Sequence, residues 1–269
     1  RPMQARTGLV SITFRKLNPG QIIDLVNQAH DDVIEWGGDS HVPHGDTKTA
    51  EEVGRQTREA GLDVSCYGSY YRLGMAGMDP GNGSPKHPEF SAVLDSALAL
   101  KAPLIRVWAG GASPAKMDEK TRRTAEEDAL AIADRAHAHG IGIAYEYHAN
   151  TLTEDIDSSL RLLEATKHPA ISTLWQPPNE KPESYILESL ESVLPRLSNV
   201  HVFHWIFPDG LFKRRPLSEG RDRWISYLKR LQPLAPRDYL IEFVQGDATD
   251  QYLEDAACLK SWLEGMALS

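Results

Sequence analysis

The sequence predicts a single-domain α/β protein with the (β/α)8 barrel fold, and three observations lead to this fold class. The chain has 269 residues, close to the roughly 250 that one such barrel needs. Short runs rich in Val, Ile and aromatic residues alternate with longer segments of helical periodicity along the whole chain. No composition shift, Pro-rich linker or low-complexity stretch divides the sequence, so we expect one domain over residues 1–269.

Eight runs have the composition of buried parallel strands, and eight is the number that closes this barrel. The predicted strands lie near 7–14, 32–37, 62–68, 103–109, 141–147, 171–176, 200–206 and 238–244. Between them, 88–101 and 120–138 carry apolar residues at three- and four-residue spacing, which predicts amphipathic helices. Gly61 and Gly140 each follow a helical segment, where a left-handed cap is expected.

The segment 72–88 is rich in Gly, Pro and Asn and follows the third predicted strand. A loop at that position lies on the catalytic face of a barrel, so we interpret it as a loop that covers substrate. A connection without a functional role is the open alternative.

Composition and charge exclude several classes of protein. The formal charge of −9 disfavours nonspecific binding to nucleic acid or to an anionic membrane. Cys66 and Cys258 lie far apart, which predicts two free buried thiols in a reducing cytoplasm. The chain contains no membrane-spanning apolar run and no signal-peptide core. It begins at Arg1 rather than Met, so a removed leader stays open.

Four consecutive predicted strands end in side chains that can bind a metal ion, namely Glu146, Gln176, His204 and Glu242. Because side chains alternate along a strand, Glu146, His204 and Glu242 are expected to face the barrel axis together. Buried carboxylates need a partner, and a divalent cation would supply it. The alternative is that each is satisfied singly, for instance Glu146 by Arg106. We expect His201 to lie on the opposite face from His204.

The sequence resembles the xylose isomerase-like barrel family of sugar isomerases and epimerases over nearly its whole length. That family has metal ligands at the ends of strands five to eight in the order Glu, Asp, His, Glu. The matching residues here are Glu146 in IAYEYH, His204 in VHVFHW and Glu242 in YLIEF. The segments GLVSITFR, EWGGDSHVPHGD, YGSYYRLG, IRVWAG and EYHANTLTED are similar to phrases of an uncharacterised bacterial branch.

The sequence departs from this family at strand six, where Gln176 in LWQPPNE replaces Asp. An amide oxygen can bind a hard cation but adds no negative charge, so we expect weaker metal affinity. The fourth ligand is then Gln176, a water or nothing. Mixed oxygen and nitrogen ligands suit Mn, Mg, Co or Zn, among which the sequence does not choose.

The resemblance implies that the metal polarises a carbonyl while Glu146 and Glu242 move a proton at the adjacent carbon. We therefore expect a sugar isomerase or epimerase that acts on a small sugar-like substrate. A homodimer is the expected oligomeric state, because most small soluble enzymes that assemble form symmetric dimers. A lyase or dehydratase acting on an oxidised sugar, and a catalytically silent sugar-binding barrel, are the alternatives. A related DNA-repair endonuclease would need more ligands, for several zinc ions, and a basic face, which the charge disfavours.

Further side chains near strand ends are candidates for substrate contacts. An arginine of the Lys213–Arg215 run could reach back to a substrate oxygen, or the run could be a solvated turn. Tryptophans could stack on sugar rings or belong to the core. The substrate-binding candidates are His41, His148, Arg106, Trp108, Trp175 and Arg215. No nucleotide-binding or serine-nucleophile motif occurs in a convincing context.

Overall fold

A computed structural model describes residues 5–231 and 237–267 and shows eight parallel strands. These barrel strands are β1 (Arg6–Val10), β2 (Val33–Gly37), β3 (Asp63–Arg72), β4 (Leu104–Trp108), β5 (Gly142–Tyr145), β6 (Ile171–Trp175), β7 (Leu197–Val202) and β10 (Asp238–Ile241). They close in the order β1-β10-β7-β6-β5-β4-β3-β2. A short antiparallel hairpin of β8 (Trp205–Ile206) and β9 (Lys213–Arg214) follows β7. The predicted (β/α)8 barrel in a single domain is confirmed.

Helices connect the strands and cover the outside of the barrel. They are α1 (Pro19–Gln28), α2 (Thr47–Glu59), α3 (Phe90–Leu100), α4 (Glu119–His137), α5 (Ile156–Ala165), α6 (Glu183–Val193), α7 (Arg221–Leu231) and α8 (Thr249–Ala267). The side chain of Asp118 accepts a hydrogen bond from the backbone of Thr121 and so begins α4. Gly61 and Gly140 have φ of 83° and 72°, as expected for residues that follow a helix end. None of the described helices is long and apolar enough to cross a membrane.

The strands bury two faces, one against the helices and one inside the barrel. Residues paired in register on parallel strands point to the same side of the sheet. Val10 pairs with Glu35, and Leu240 pairs with His201, so these side chains share the barrel interior. An apolar cluster of Val10, Ile12, Val33 and Leu240 is separate from the main core. Charged residues lie on the same inner face as this cluster.

Three strands end four residues away from the position that the sequence predicts. β1 ends at Val10 and a single 3-10 turn, Ser11–Phe14, follows it. β3 continues to Arg72, four residues beyond its predicted end. β7 occupies Leu197–Val202 rather than 200–206. Residues 73–89 form a loop without helix or strand, as their composition indicates.

Candidate metal and catalytic site

Glu146, His201 and Glu242 come together inside the barrel near the carboxyl ends of β5, β7 and β10. Each offers one ligand atom, these atoms all lie within 4.8 Å of one another, and all three residues are buried. Glu146 and Glu242 each follow the last residue of their strand, and His201 is the penultimate residue of β7. Two carboxylates and an imidazole form a ligand set suited to a divalent cation.

These three residues belong to a larger group of charged side chains, which we call the buried ion network: Glu35, Arg106, Glu146, His201 and Glu242. Arg106 Nη1 lies 3.1 Å from Glu35 Oε2, and Arg106 Nε lies 3.3 Å from Glu146 Oε2. His201 Nε2 lies 3.1 Å from Glu35 Oε1, and its Nδ1 lies 3.2 Å from Glu242 Oε2. Every member is at most 5% exposed. Such burial is tolerated because each charge has an opposite neighbour.

Burial and neighbouring charges shift the pKa values of the network's side chains, lowering that of Glu35 and raising those of Glu146 and His201. Burial alone would raise the pKa of Glu35, but His201 and Arg106 outweigh it and lower that pKa. Burial raises the pKa of Glu146, with Glu242 adding to the effect and Arg106 opposing it. Burial would lower the pKa of His201, but Glu35 and Glu242 raise it well above its usual value. His201 therefore holds a proton where a cation would otherwise balance the carboxylates.

Several buried atoms of this region fit a divalent cation. Among the described residues, Gln176 Oε1 has no hydrogen-bond partner, and Glu146 Oε2 and His201 Nδ1 have only the ion-pair contacts given above. An unsatisfied buried polar atom costs about 1–3 kcal/mol, so such atoms usually have a partner in the working protein. Charge agrees with this: Glu35 and Arg106 cancel, and a +2 ion would cancel Glu146 and Glu242 when His201 is neutral.

Gln176 directly follows β6 and is buried. Its Nε2 donates to the backbone oxygen of Tyr147 at 2.8 Å, which fixes the amide. Its Oε1 accepts no hydrogen bond from the described part of the chain. The side chain therefore offers an acceptor oxygen, as a ligand role would require, and that role stays a prediction.

The structure corrects the placement of His204. The strand ends at Val202, so the alternation that was expected to bring His204 to the axis does not extend to it. Its ring instead packs beside Gly220 near the start of α7, where an added Cβ would lie 2.5 Å from His204 Nδ1. His201, expected on the opposite face from Glu146 and Glu242, occupies the inner position. The two histidines do lie on different faces, but the inner one is His201.

Three expected substrate contacts are engaged elsewhere. His41 is 6% exposed, and its ring nitrogens lie 3.0 Å from Ser11 Oγ and 2.8 Å from the Leu17 oxygen. Trp175 is fully buried on the outer face of β6, where its Nε1 donates to Ser189 Oγ. The guanidinium of Arg215 forms an ion pair with Glu219. Strand facing directs Trp175 towards the helices, and local partners occupy the side chains of the other two.

The remaining candidates lie on the inner side or at the mouth. Arg106 is inside the buried ion network. The rings of Trp108 and His148 are half-buried and 4.4 Å apart. Tyr70 and Arg72 also reach the mouth, because they share the inner face of β3 with Gly68. The substrate-binding candidates predicted from the sequence include neither of these two residues. The YGSYYRLG segment held the signal, since alternate residues from Gly68 onward face inward.

A comparison with models of protein families identifies the family of this chain. The family model described as xylose isomerase-like TIM barrel matches residues 23–262. The chain belongs to this family. A sequence search of curated proteins found no match.

Solved structures share the fold at low sequence identity. The probable 3-DHS dehydratase AsbF from Bacillus anthracis has a TM-score of 0.73 and 18% identity, over 96% of this chain and 99% of that one. A xylose isomerase-like TIM barrel protein from Mycobacterium smegmatis, in complex with magnesium, has a TM-score of 0.71 and 16% sequence identity. The match covers 97% of this chain and 96% of that one. D-psicose 3-epimerase from Clostridium cellulolyticum H10, with D-tagatose, has a TM-score of 0.68 and 13% sequence identity. The match covers 96% of this chain and 98% of that one.

Proposed function

We propose that this protein is a metal-dependent isomerase or epimerase that moves a proton on the carbon beside a carbonyl of a sugar-like substrate. The observation that carries the proposal is the convergence of two buried carboxylates, Glu146 and Glu242, with His201. The likeness in fold to a protein solved with magnesium and to a D-psicose 3-epimerase supports this class of reaction.

Glu146, His201 and Glu242 would hold the ion, with Gln176 Oε1 as a fourth donor. When bound, a divalent ion such as Mn, Mg, Co or Zn would supply stabilisation of negative charge on a substrate oxygen, which would make the neighbouring C–H more acidic. Because each carboxylate comes from a different strand, the two can approach the substrate from different sides.

The two glutamates would divide the proton transfer. One carboxylate removes the proton from the carbon, and the other returns a proton to the opposite face or to the neighbouring carbon. Arg106 acts on Glu146 against the effect of burial, which keeps the pKa of that carboxyl from rising further. The arginine thereby allows Glu146 to lose its proton as well as hold it.

A lyase or dehydratase is the second candidate, since elimination begins with the same proton abstraction. The likeness in fold to the probable 3-DHS dehydratase AsbF supports this alternative. A carboxyl that holds its proton beside a second carboxylate could protonate a departing hydroxyl while Glu242 takes the proton from carbon.

Incubation in deuterated water tests the proposal. Metal-loaded protein is mixed with a panel of ketoses and oxidised sugars, and deuterium at the carbon beside the carbonyl is measured by NMR. We expect a rearranged sugar that carries the label, whereas a lyase yields an unsaturated product that has lost water. Glu242→Gln should abolish the exchange. Glu188→Gln, at an exposed position, is the matched control and should leave it unchanged.

Exchange at the normal rate in both Glu146→Gln and Glu242→Gln would show that neither carboxylate is the base. Binding of a sugar with no exchange in any member of the panel would instead favour a catalytically silent sugar-binding barrel.

A further inference from the structure

One arginine at the mouth of the barrel has no carboxylate partner. Arg106 is paired with two glutamates and Arg15 with Asp39, whereas Arg72 forms no ion pair within residues 5–231 and 237–267. Arg72 is the last residue of β3 and is half-buried. Its Nη1 donates to the backbone oxygen of Gly110 at 2.9 Å. A partly desolvated cation of this kind normally has an anion beside it.

Aromatic rings hold Arg72 in place and connect it to the catalytic candidates. Its guanidinium carbon lies 4.5 Å from the centre of the Trp108 ring. Trp108 in turn stacks on Tyr70 with centroids 6.3 Å apart and contacts His148. Arg106, which pairs with Glu146, lies 5.4 Å from the centre of the Tyr70 ring. The aromatic rings therefore form a continuous wall from the buried ion network to Arg72.

The same wall contains a second donor without an acceptor. Trp108 Nε1 is buried and has no hydrogen-bond partner among the described residues. Burial lowers the pKa of Arg72, and the charge of Glu146 raises it. An arginine nevertheless stays charged. The region thus holds one positive charge and one N–H without a matching group among the residues that the structure describes.

We propose that the substrate carries a carboxylate that Arg72 binds against Trp108, while the reacting carbon faces Glu146 and Glu242. This inference rests on the proposed function and narrows its substrate class to sugar acids and related hydroxy or keto carboxylates. A planar guanidinium matches a carboxylate with two parallel hydrogen bonds. One unpaired arginine supplies a single positive charge, which suits a carboxylate better than the nearly doubly charged phosphate.

Binding measurements that need no turnover test this assignment. The probes are neutral sugars of gluco, galacto and manno configuration, the corresponding uronates, and the corresponding 6-phosphates, each titrated calorimetrically into metal-loaded protein at low ionic strength. We expect at least one uronate to bind about tenfold more tightly than its neutral parent, as for a hydrogen bond to a charged group. Arg72→Gln should remove that preference, and it keeps a donor for Gly110. Affinity for the neutral parent should not change.

Arg15→Gln is the matched control, because this arginine is already paired with Asp39, and it should keep the preference. The absence of a preference in all three pairs, or its retention in Arg72→Gln, would overturn the assignment. Tighter binding of the 6-phosphates than of the uronates would overturn the choice of carboxylate. Because these titrations measure no reaction, their outcome is independent of the deuterium-exchange assay. If the native protein catalyses exchange but Arg72→Gln does not change the preference for a uronate, the carboxylate assignment fails and the proposed function stands.

Discussion

At the scale of single residues, Glu35 determines which nitrogen of His201 is free. The pKa of Glu35 is lowered, so an ionised carboxylate lies 3.1 Å from His201 Nε2 and requires the proton on that nitrogen. When the ring is neutral, Nδ1 then carries the lone pair and lies 3.2 Å from Glu242 Oε2, with no hydrogen bond to any described residue. A carboxylate that orients a metal-binding histidine in this way also makes it a stronger ligand.

Gln176 gives the first prediction at this scale. Gln176→Asp should strengthen Mn²⁺ binding to the metal-stripped protein by about tenfold or more, because it would replace a neutral oxygen by a carboxylate beside the proposed ion. Calorimetric titration measures the change. Asn179→Asp alters net charge equally at an exposed position nearby and should have little effect. Unchanged or weaker binding in Gln176→Asp would mean that residue 176 does not lie beside the ion.

At the scale of elements, the ends of the strands limited what the sequence could predict. Glu146 and Glu242 could be assigned because each lies one residue beyond its strand, in a segment that returns promptly to a loop. The β7 region gives no such signal. The apolar run continues past Val202 through Phe203, Trp205 and Ile206. These residues have structural roles outside β7: Trp205–Ile206 form β8, and Phe203 stacks on Trp205. The sequence therefore predicts a strand that ends too late and selects His204.

The third strand shows the opposite error. Gly68 and Ser69 suggest the end of a strand, yet β3 continues to Arg72. The glycine permits a close approach, since an added Cβ at Gly68 would lie 3.2 Å from Glu35 Oε2 and 3.3 Å from the guanidinium carbon of Arg106. Only the three-dimensional packing of the buried ion network reveals this reason, so the alternation in YGSYYRLG places Arg72 on the inner face only once the strand is known to continue to that residue.

At the scale of the whole molecule, the buried ion network makes stability depend on pH. Burial would lower the pKa of His201, but Glu35 and Glu242 raise it well above its usual value. The folded protein then keeps a proton that the unfolded chain releases above about pH 6.5. The resulting stabilisation is complete below that pH and is lost as pH rises towards the folded pKa.

We therefore predict that the free energy of unfolding of the metal-stripped protein falls between pH 6.5 and 8, by at most about 1.4 kcal/mol per pH unit for this one proton. Urea titrations at several pH values measure it. His201→Asn should flatten the dependence. The pKa of His204 is lowered, mainly by burial, so its contribution changes below pH 6.5 and His204→Asn should keep the slope. An equal slope in His201→Asn would assign the effect to other groups.

The central claim is that Glu146, His201 and Glu242 hold a catalytic metal ion inside this barrel. Crystals grown with Mn²⁺ and measured at the manganese absorption edge test it most directly. We predict one strong anomalous peak about 2.0–2.3 Å from His201 Nδ1 and from a carboxylate oxygen of each glutamate, with His201 Nε2 still bonded to Glu35. A peak at the ring of His204, or no peak in the cluster while Arg106 remains paired with Glu146, would contradict the account.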